Sequence, residues 1–130
     1  MPDGTAVTLR DRSSLLETME LFRRICGQRR FSSLILFLYA CENEGLTFTE
    51  LASLADIHLS TSSRLIKALA GESCGAFPGM GTPLFTFETS DSDRRLKLIY
   101  LSEAGQTLRD ELERLISQAR PISPPRPAAA

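Results

Sequence analysis

The sequence predicts a mainly α fold with a single β-hairpin, an α+β class, and helices on both sides of the hairpin. Three observations predict it. Apolar residues recur at helical spacing in several separate segments. Between Leu46 and Glu72, a capped helix, a tight turn and a second capped helix follow one another. Two runs, LFTFE and RLKLIYL, alternate apolar and polar residues on either side of TSDSDR, as half-buried strands joined by a turn do. At 130 residues the chain suits one domain around one core.

Residues 1–10 are polar and irregular, and are expected to be flexible. From Asp11 to Cys26, Leu15, Met19, Phe22 and Cys26 form a helical stripe, with Leu16 and Ile25 beside it. Asp11, Ser13 or Ser14 can cap its start and Gly27 can close its end. Ser33 to Glu44 contains LILFLYAC, apolar almost all round, which predicts a helix buried at the centre of the domain. A buried strand competes, but Ala40 to Glu44 carries the pattern past strand length. Gly45 is the expected stop.

Thr47 and Glu50 form a T-x-x-E capping box that starts a short helix through Leu51 and Leu54. Ala55 to Leu59 is the turn. Ser60 is the expected cap of the second helix, which turns Leu65, Ile66 and Leu69 inward. Gly71 to Pro83, GESCGAFPGMGTP, reads as loop. After the hairpin, Ser102 caps a last helix with Leu108, Leu112, Leu115 and Ile116 on one face, which Pro121 ends. PISPPRPAAA reads as a disordered tail. The expected domain is 11–120, with the helix-turn-helix at 47–71, loop 71–83, wing 84–101, C-terminal helix 103–119 and tail 121–130. That order is a winged helix-turn-helix with flanking N- and C-terminal helices.

Fifteen Lys and Arg oppose sixteen Asp and Glu, a net charge of −1. Global charge therefore gives no support to nucleic-acid binding, and such a function must rest on local clustering. In a helix-turn-helix the second helix enters the major groove with its N-terminal residues against base edges. Here those are Ser60, Thr61, Ser62, Ser63 and Arg64, with Lys67 three residues on. Small hydroxyl residues let the helix approach closely and bond phosphates or bases. Arg64 can fork onto a guanine or clamp a phosphate. His58, in the turn, could add a phosphate contact. The competing reading is a solvated cap followed by an ordinary wet helix face.

The wing tip carries Arg94 and Arg95 beside Asp91 and Asp93. A projecting arginine can enter a minor groove, where negative potential is enhanced. One aspartate is expected to hold one arginine by a bidentate pair, leaving the other for DNA. The competing reading is a solvated turn whose charges discourage edge pairing. Arg23, Arg24, Arg29 and Arg30 make a second basic cluster, either on flanking phosphates or simply offsetting a helix dipole.

Other chemistry finds little support. The longest apolar run, Leu34 to Cys41, is far short of the ~20 residues that span a bilayer. The N-terminus lacks the apolar centre of a signal peptide, so a cytoplasmic chain is expected. Cys26, Cys41 and Cys74 are expected to be reduced thiols. Cys41 belongs to the core and Cys74 to the exposed loop; the arginines near Cys26 would help stabilise a thiolate there, but the expected reading is inert thiols. His58, the single histidine, has no second metal ligand at helical spacing. GAFPGMG lacks the Lys-Ser/Thr ending of a phosphate loop. No cofactor, metal or enzymatic activity is expected.

DRRLKLIYLSEAG, Asp93 to Gly105, resembles the wing and following helix start of the MarR family of transcriptional regulators. The matching positions are Asp93, Arg94, Arg95, Leu101, Ser102 and Gly105. LTFTELASLADIHLSTSSRLIKALA is similar to the same family's helix-turn-helix, through Leu46-Thr47, Glu50-Leu51-Ala52 and Ser60 to Leu65. The resemblance covers roughly Phe31 to Leu115. It implies a homodimeric regulator on a pseudo-palindromic double-stranded DNA site, with no membrane partner. Ser60, Thr61, Ser63, Arg64 and Lys67 would face the major groove and Arg94 the minor groove, with Arg95 more structural. The dimer would form through the terminal helices, about 12–26 and 103–119. A small-molecule effector of unknown identity is a further implied partner. The 71–83 loop is longer than the family pattern, and the C-terminal helix is shorter. The alternative function is a winged-helix protein-interaction module in a nucleoprotein assembly for replication, segregation or a mobile element.

Overall fold

The computed structural model describes residues 12–27, 29–74 and 78–123. The expected flexible stretch 1–10 and most of the expected tail, 124–130, lie outside the described residues. Helix α1 spans Ser14–Cys26. Of the three candidate caps Ser13 takes the role, its Oγ accepting from Leu16 N at 3.1 Å. Gly27, at φ 69°, turns the chain out of the helix and donates to Arg23 O at 2.7 Å.

Helix α2, Phe31–Glu42, lies at the centre, with Leu36 and Phe37 wholly buried. It begins two residues before the expected Ser33 and stops short of Glu44. Helix α3, Phe48–Ala55, starts on the Thr47–Glu50 box with both of its bonds made: Glu50 N donates to Thr47 Oγ1 at 3.2 Å and Thr47 N to Glu50 Oε1 at 2.9 Å. Asp56 then takes a left-handed conformation, φ 54°, and reverses the chain. Helix α4, Leu59–Leu69, packs on α3, burying Ser62, Leu65, Ile66, Ala68 and Leu69.

Strand β2, Phe85–Thr89, and β3, Lys97–Leu101, form the expected hairpin, with Phe85 opposite Leu101 and Thr89 opposite Lys97. The sequence pattern missed a third strand. Leu46–Thr47, β1, adds to the open edge of β3, so the sheet order is β1-β3-β2, all antiparallel. Two residues are too short to show alternation, and they form a strand only because β3 offers its edge. Phe85 stacks on Phe37 with ring centroids 6.1 Å apart, joining the sheet to α2.

Helix α5, Glu103–Ser117, ends at Ser117, before the expected residue 119. Leu108, Leu112 and Leu115 face the core, while Ile116 continues the stripe into solvent, 66% exposed. Beyond the helix, Arg120 folds back on α1: its N donates to Ser14 Oγ at 2.7 Å, its Nε to Arg12 O at 2.7 Å, and its guanidinium pairs with Glu17. The α1 stripe is only half covered. Phe22 and Cys26 are buried with Leu21, but Leu15 is 57% exposed, and Met19, Leu16 and Ile25 are also exposed. Periodicity located the stripe correctly, and among the described residues nothing closes over its N-terminal half.

Candidate nucleic-acid interface

The start of α4 differs from the sequence expectation in one respect. His58, not Ser60, is the N-cap: its Nδ1 accepts from Ser60 N at 3.2 Å and lies 2.9 Å from Ser60 Oγ. Ser60 is the second helical residue, because the ring nitrogen reaches an orphan N–H of the kind that a serine cap would have served. Ser60 and Arg64 are exposed; Thr61, Ser63 and Lys67 are half-buried. Ser62, expected among the groove-facing hydroxyls, is wholly buried. Its Oγ donates to Ile57 O at 3.1 Å and ties the turn to the helix.

At the wing tip, Asp93 takes Arg95. Nε donates to Oδ1 at 3.1 Å, Nη2 to Oδ2 at 3.2 Å, and the Arg95 backbone N to Oδ1 at 3.0 Å. The Arg95 guanidinium, and then its backbone N–H, hold the Asp93 carboxyl below its ordinary pKa. Arg94, one residue before, is exposed and has no ion-pair or hydrogen-bond partner among the described residues. Ser90 N donates to Leu96 O at 2.9 Å and closes the base of the turn. Lys97 lies over the Phe87 ring, 5.7 Å from its centroid.

The Leu-Ser-x-x-Gly part of the motif is architectural. Ser102 Oγ accepts from Gly105 N at 3.0 Å as the α5 cap and donates to Pro83 O at 2.6 Å. Ser102 N donates to Leu84 O at 2.9 Å. A Cβ on Gly105 would lie 2.2 Å from that same carbonyl oxygen, so only glycine lets α5 pass this close to the wing base. The loop before the wing is also anchored. Met80 enters the core and its N donates to Ala68 O at 3.0 Å, Leu84 N donates to Leu69 O at 2.7 Å, and Arg29 Nη1 donates to Pro78 O at 2.6 Å.

Charge pairing separates the cations. Arg23, Arg95, Arg109, Arg114 and Arg120 pair with carboxylates. Arg64, Lys67 and Arg94 have no such partner among the described residues. Arg12 and Arg24 are also without one, and border a small cleft whose Glu17 and Glu111 are already paired with Arg120 and Arg114. The second basic cluster is divided: Arg23 binds Glu20, and Arg29 holds the loop. Arg23, Arg29 and Arg30 rim a groove of about 420 Å³ floored by Met19, Phe22, Phe31 and Leu34.

The arginines do not activate Cys26. Burial pushes its thiol up to about 11, against a smaller opposing effect of Arg29. Burial likewise pushes Cys41 up to about 12, with Arg109 opposing and Glu44 and Glu42 adding. Cys41 is half-buried rather than fully core, and Cys74 is half-buried in the loop.

No family model matches the sequence, and no curated protein matches it. Solved structures do match in fold. A MarR transcriptional regulator from Methanosarcina mazei Go1 shares 15% identity at a TM-score of 0.58, covering 79% of this chain. The chain has the MarR winged-helix fold. Streptococcus pneumoniae FabT in complex with DNA shares that fold at 13% identity and a TM-score of 0.60, over 80% of this chain. CouR from Rhodococcus jostii RHA1, bound to p-coumaroyl-CoA, does so at 24% identity and a TM-score of 0.55, over 81% of this chain. The chain spans 66% of the length of each of these three, just under two thirds. Among the described residues, no helix is long and apolar enough to cross a membrane.

Proposed function

We propose that the chain is a sequence-specific double-stranded DNA-binding transcriptional regulator, with α4 in the major groove and the wing in the adjacent minor groove. One observation carries this reading. Arg64, Lys67 and Arg94 lack ion-pair partners among the described residues on the two elements that meet DNA in a winged helix, whereas elsewhere Arg23, Arg109, Arg114 and Arg120 are paired, though Arg12 and Arg24 are not. Between Leu59 and Leu69 there is no acidic residue, so the helix presents an undiluted positive edge despite the chain's net charge of −1. Ser60, Thr61, Ser63, Arg64 and Lys67 make the major-groove contacts and Arg94 the minor-groove contact. Arg95, held by Asp93, fixes the shape of the tip and reaches only a phosphate.

The working form is a homodimer through the terminal helices, supported by the bare half of the α1 stripe and by Ile116 on α5. A two-fold dimer reads a pseudo-palindromic site with half-sites about one helical turn apart. The groove between α1 and α2, with an apolar floor and a rim of Arg29, Arg30 and the Arg23–Glu20 pair, is the place for a small-molecule effector, in keeping with the p-coumaroyl-CoA bound by CouR in the same fold. A cytoplasmic location goes with this role. The protein-interaction reading is favoured by the near-neutral net charge and by the long 71–83 loop.

Enrichment of bound duplexes from a random pool tests the proposal. The expected result is a pseudo-palindromic consensus whose affinity falls by about 1–3 kcal/mol in Arg64→Ala. Absence of binding at low salt, or an affinity untouched by Arg64→Ala and Arg94→Ala together, would leave the protein-interaction reading.

A further inference from the structure

The exposed surface of α4 has one chemical exception. Its outward residues are hydroxyls and cations, except for Leu59, the first residue of the helix, which is 45% exposed. A single exposed leucine is ordinary on a protein surface. This one stands at the end of the helix that leads into the groove, beside Ser60 and one turn before Ser63. Its backbone is also fixed. The His58 cap occupies Ser60 N, and Ser62 Oγ holds the turn through Ile57 O at 3.1 Å, so the first turn presents Leu59 in one place. The capping arrangement likewise sets Ser60 Oγ 2.9 Å from the His58 ring, which gives that hydroxyl a partner before DNA arrives.

An apolar group facing the major groove has one kind of complement on the base edges, the C5-methyl group of a pyrimidine. We infer that Leu59 reads a pyrimidine C5-methyl in each half-site, so that part of the sequence preference comes from apolar contact beside the Arg64 contact. The inference rests on the DNA-binding reading proposed above. The methyl belongs either to thymine or to 5-methylcytosine, and both can be tested on the selected duplex.

The experiment uses the full chain and the enriched consensus. Each thymine is replaced in turn by deoxyuridine, which removes only the methyl group, and each cytosine by 5-methyldeoxycytidine, which adds one. Wild-type protein should lose about fourfold in affinity at one thymine per half-site, the factor of a single methyl group. If the reader's natural target is 5-methylcytosine, affinity should instead rise by about that factor at one cytosine per half-site. Leu59→Ala, at an exposed position where truncation leaves the core intact, should bind the methylated and unmethylated duplexes equally. Its thermal melt gives a check on folding. A consensus bound tightly but indifferent to both substitutions overturns this inference and leaves the DNA-binding function standing. So does a methyl effect that persists in Leu59→Ala. Absence of any consensus overturns the sequence-specific reading, and this inference with it.

Discussion

Helices α1 and α4 are both amphipathic, yet they leave opposite things uncovered. On α4 the inward apolar face is buried, and the residues left outside include Ser60, Arg64 and half-buried Lys67. On α1 Arg23 pairs with Glu20 and Arg120 with Glu17, Arg24 stays without a carboxylate among the described residues, and the residues left outside include the apolar Leu15, Leu16 and Met19. A helix whose unmet groups are cationic is fitted to a polyanion. One whose unmet groups are apolar is fitted to another apolar surface, which in the proposed dimer is a second copy of the chain. Leu15, Met19, Phe22 and Cys26 stand on one line, and the described residues cover only the last two.

The largest effect should come from placing charge on the bare half of the stripe. Leu15→Glu with Met19→Glu would bury unpaired carboxylates in the dimer, at about 3–5 kcal/mol for an uncompensated charge. Sedimentation should show the double variant as a monomer that keeps its helical content. An unchanged mass would remove α1 from the interface.

A substitution at the joint behind both faces comes next. Gly105→Ala forces a methyl against Leu84 O, where α5 meets the wing base, and should cost about 1–3 kcal/mol of stability. The readout is the denaturant midpoint. Little or no change would mean that α5 moves away freely at this point, and the wing would then be less firmly held than the Ser102 bonds imply.

The smallest effect sharpens the division between the wing arginines. Asp93→Asn removes the charged partner of Arg95 and leaves Arg94 as it was. Affinity for DNA should rise by less than about threefold and more clearly at low salt, since the added charge is exposed and screened. A fall in affinity would show that the Asp93 pair shapes the tip for Arg94.

What the sequence disclosed about these elements follows a physical rule. Local, short-range chemistry was legible: the Thr47–Glu50 box, the Ser102 cap and the aspartate–arginine pair at the tip each join residues within a few positions of one another. Contacts set by tertiary neighbours were not. Strand β1 exists because Leu46 meets Ile99, a partner far along the chain that two residues of local pattern cannot announce. Met80 enters the core from a Gly/Pro-rich loop that carries no periodicity. Ser62 looks like a DNA-facing hydroxyl in the run Ser60 to Ser63, and only the packing of α4 on α3 shows that its hydroxyl is spent on Ile57 O. His58 caps the helix because its ring folds onto Ser60 N, a rotamer that composition does not predict. At Cys26 burial outweighs the nearby arginines, which agrees with the inert thiol expected there.

The division between the two helices is tested most directly by the salt dependence of binding to random duplex DNA. The slope of log affinity against log salt should be steep for the wild-type chain. It should become shallower by about one for each phosphate no longer neutralised, so by up to about four per bound dimer, about two from each protomer, in Arg64→Ala with Arg94→Ala. A slope already flat in the wild type, or one that the double substitution leaves unchanged, would contradict the assignment of α4 and the wing to DNA.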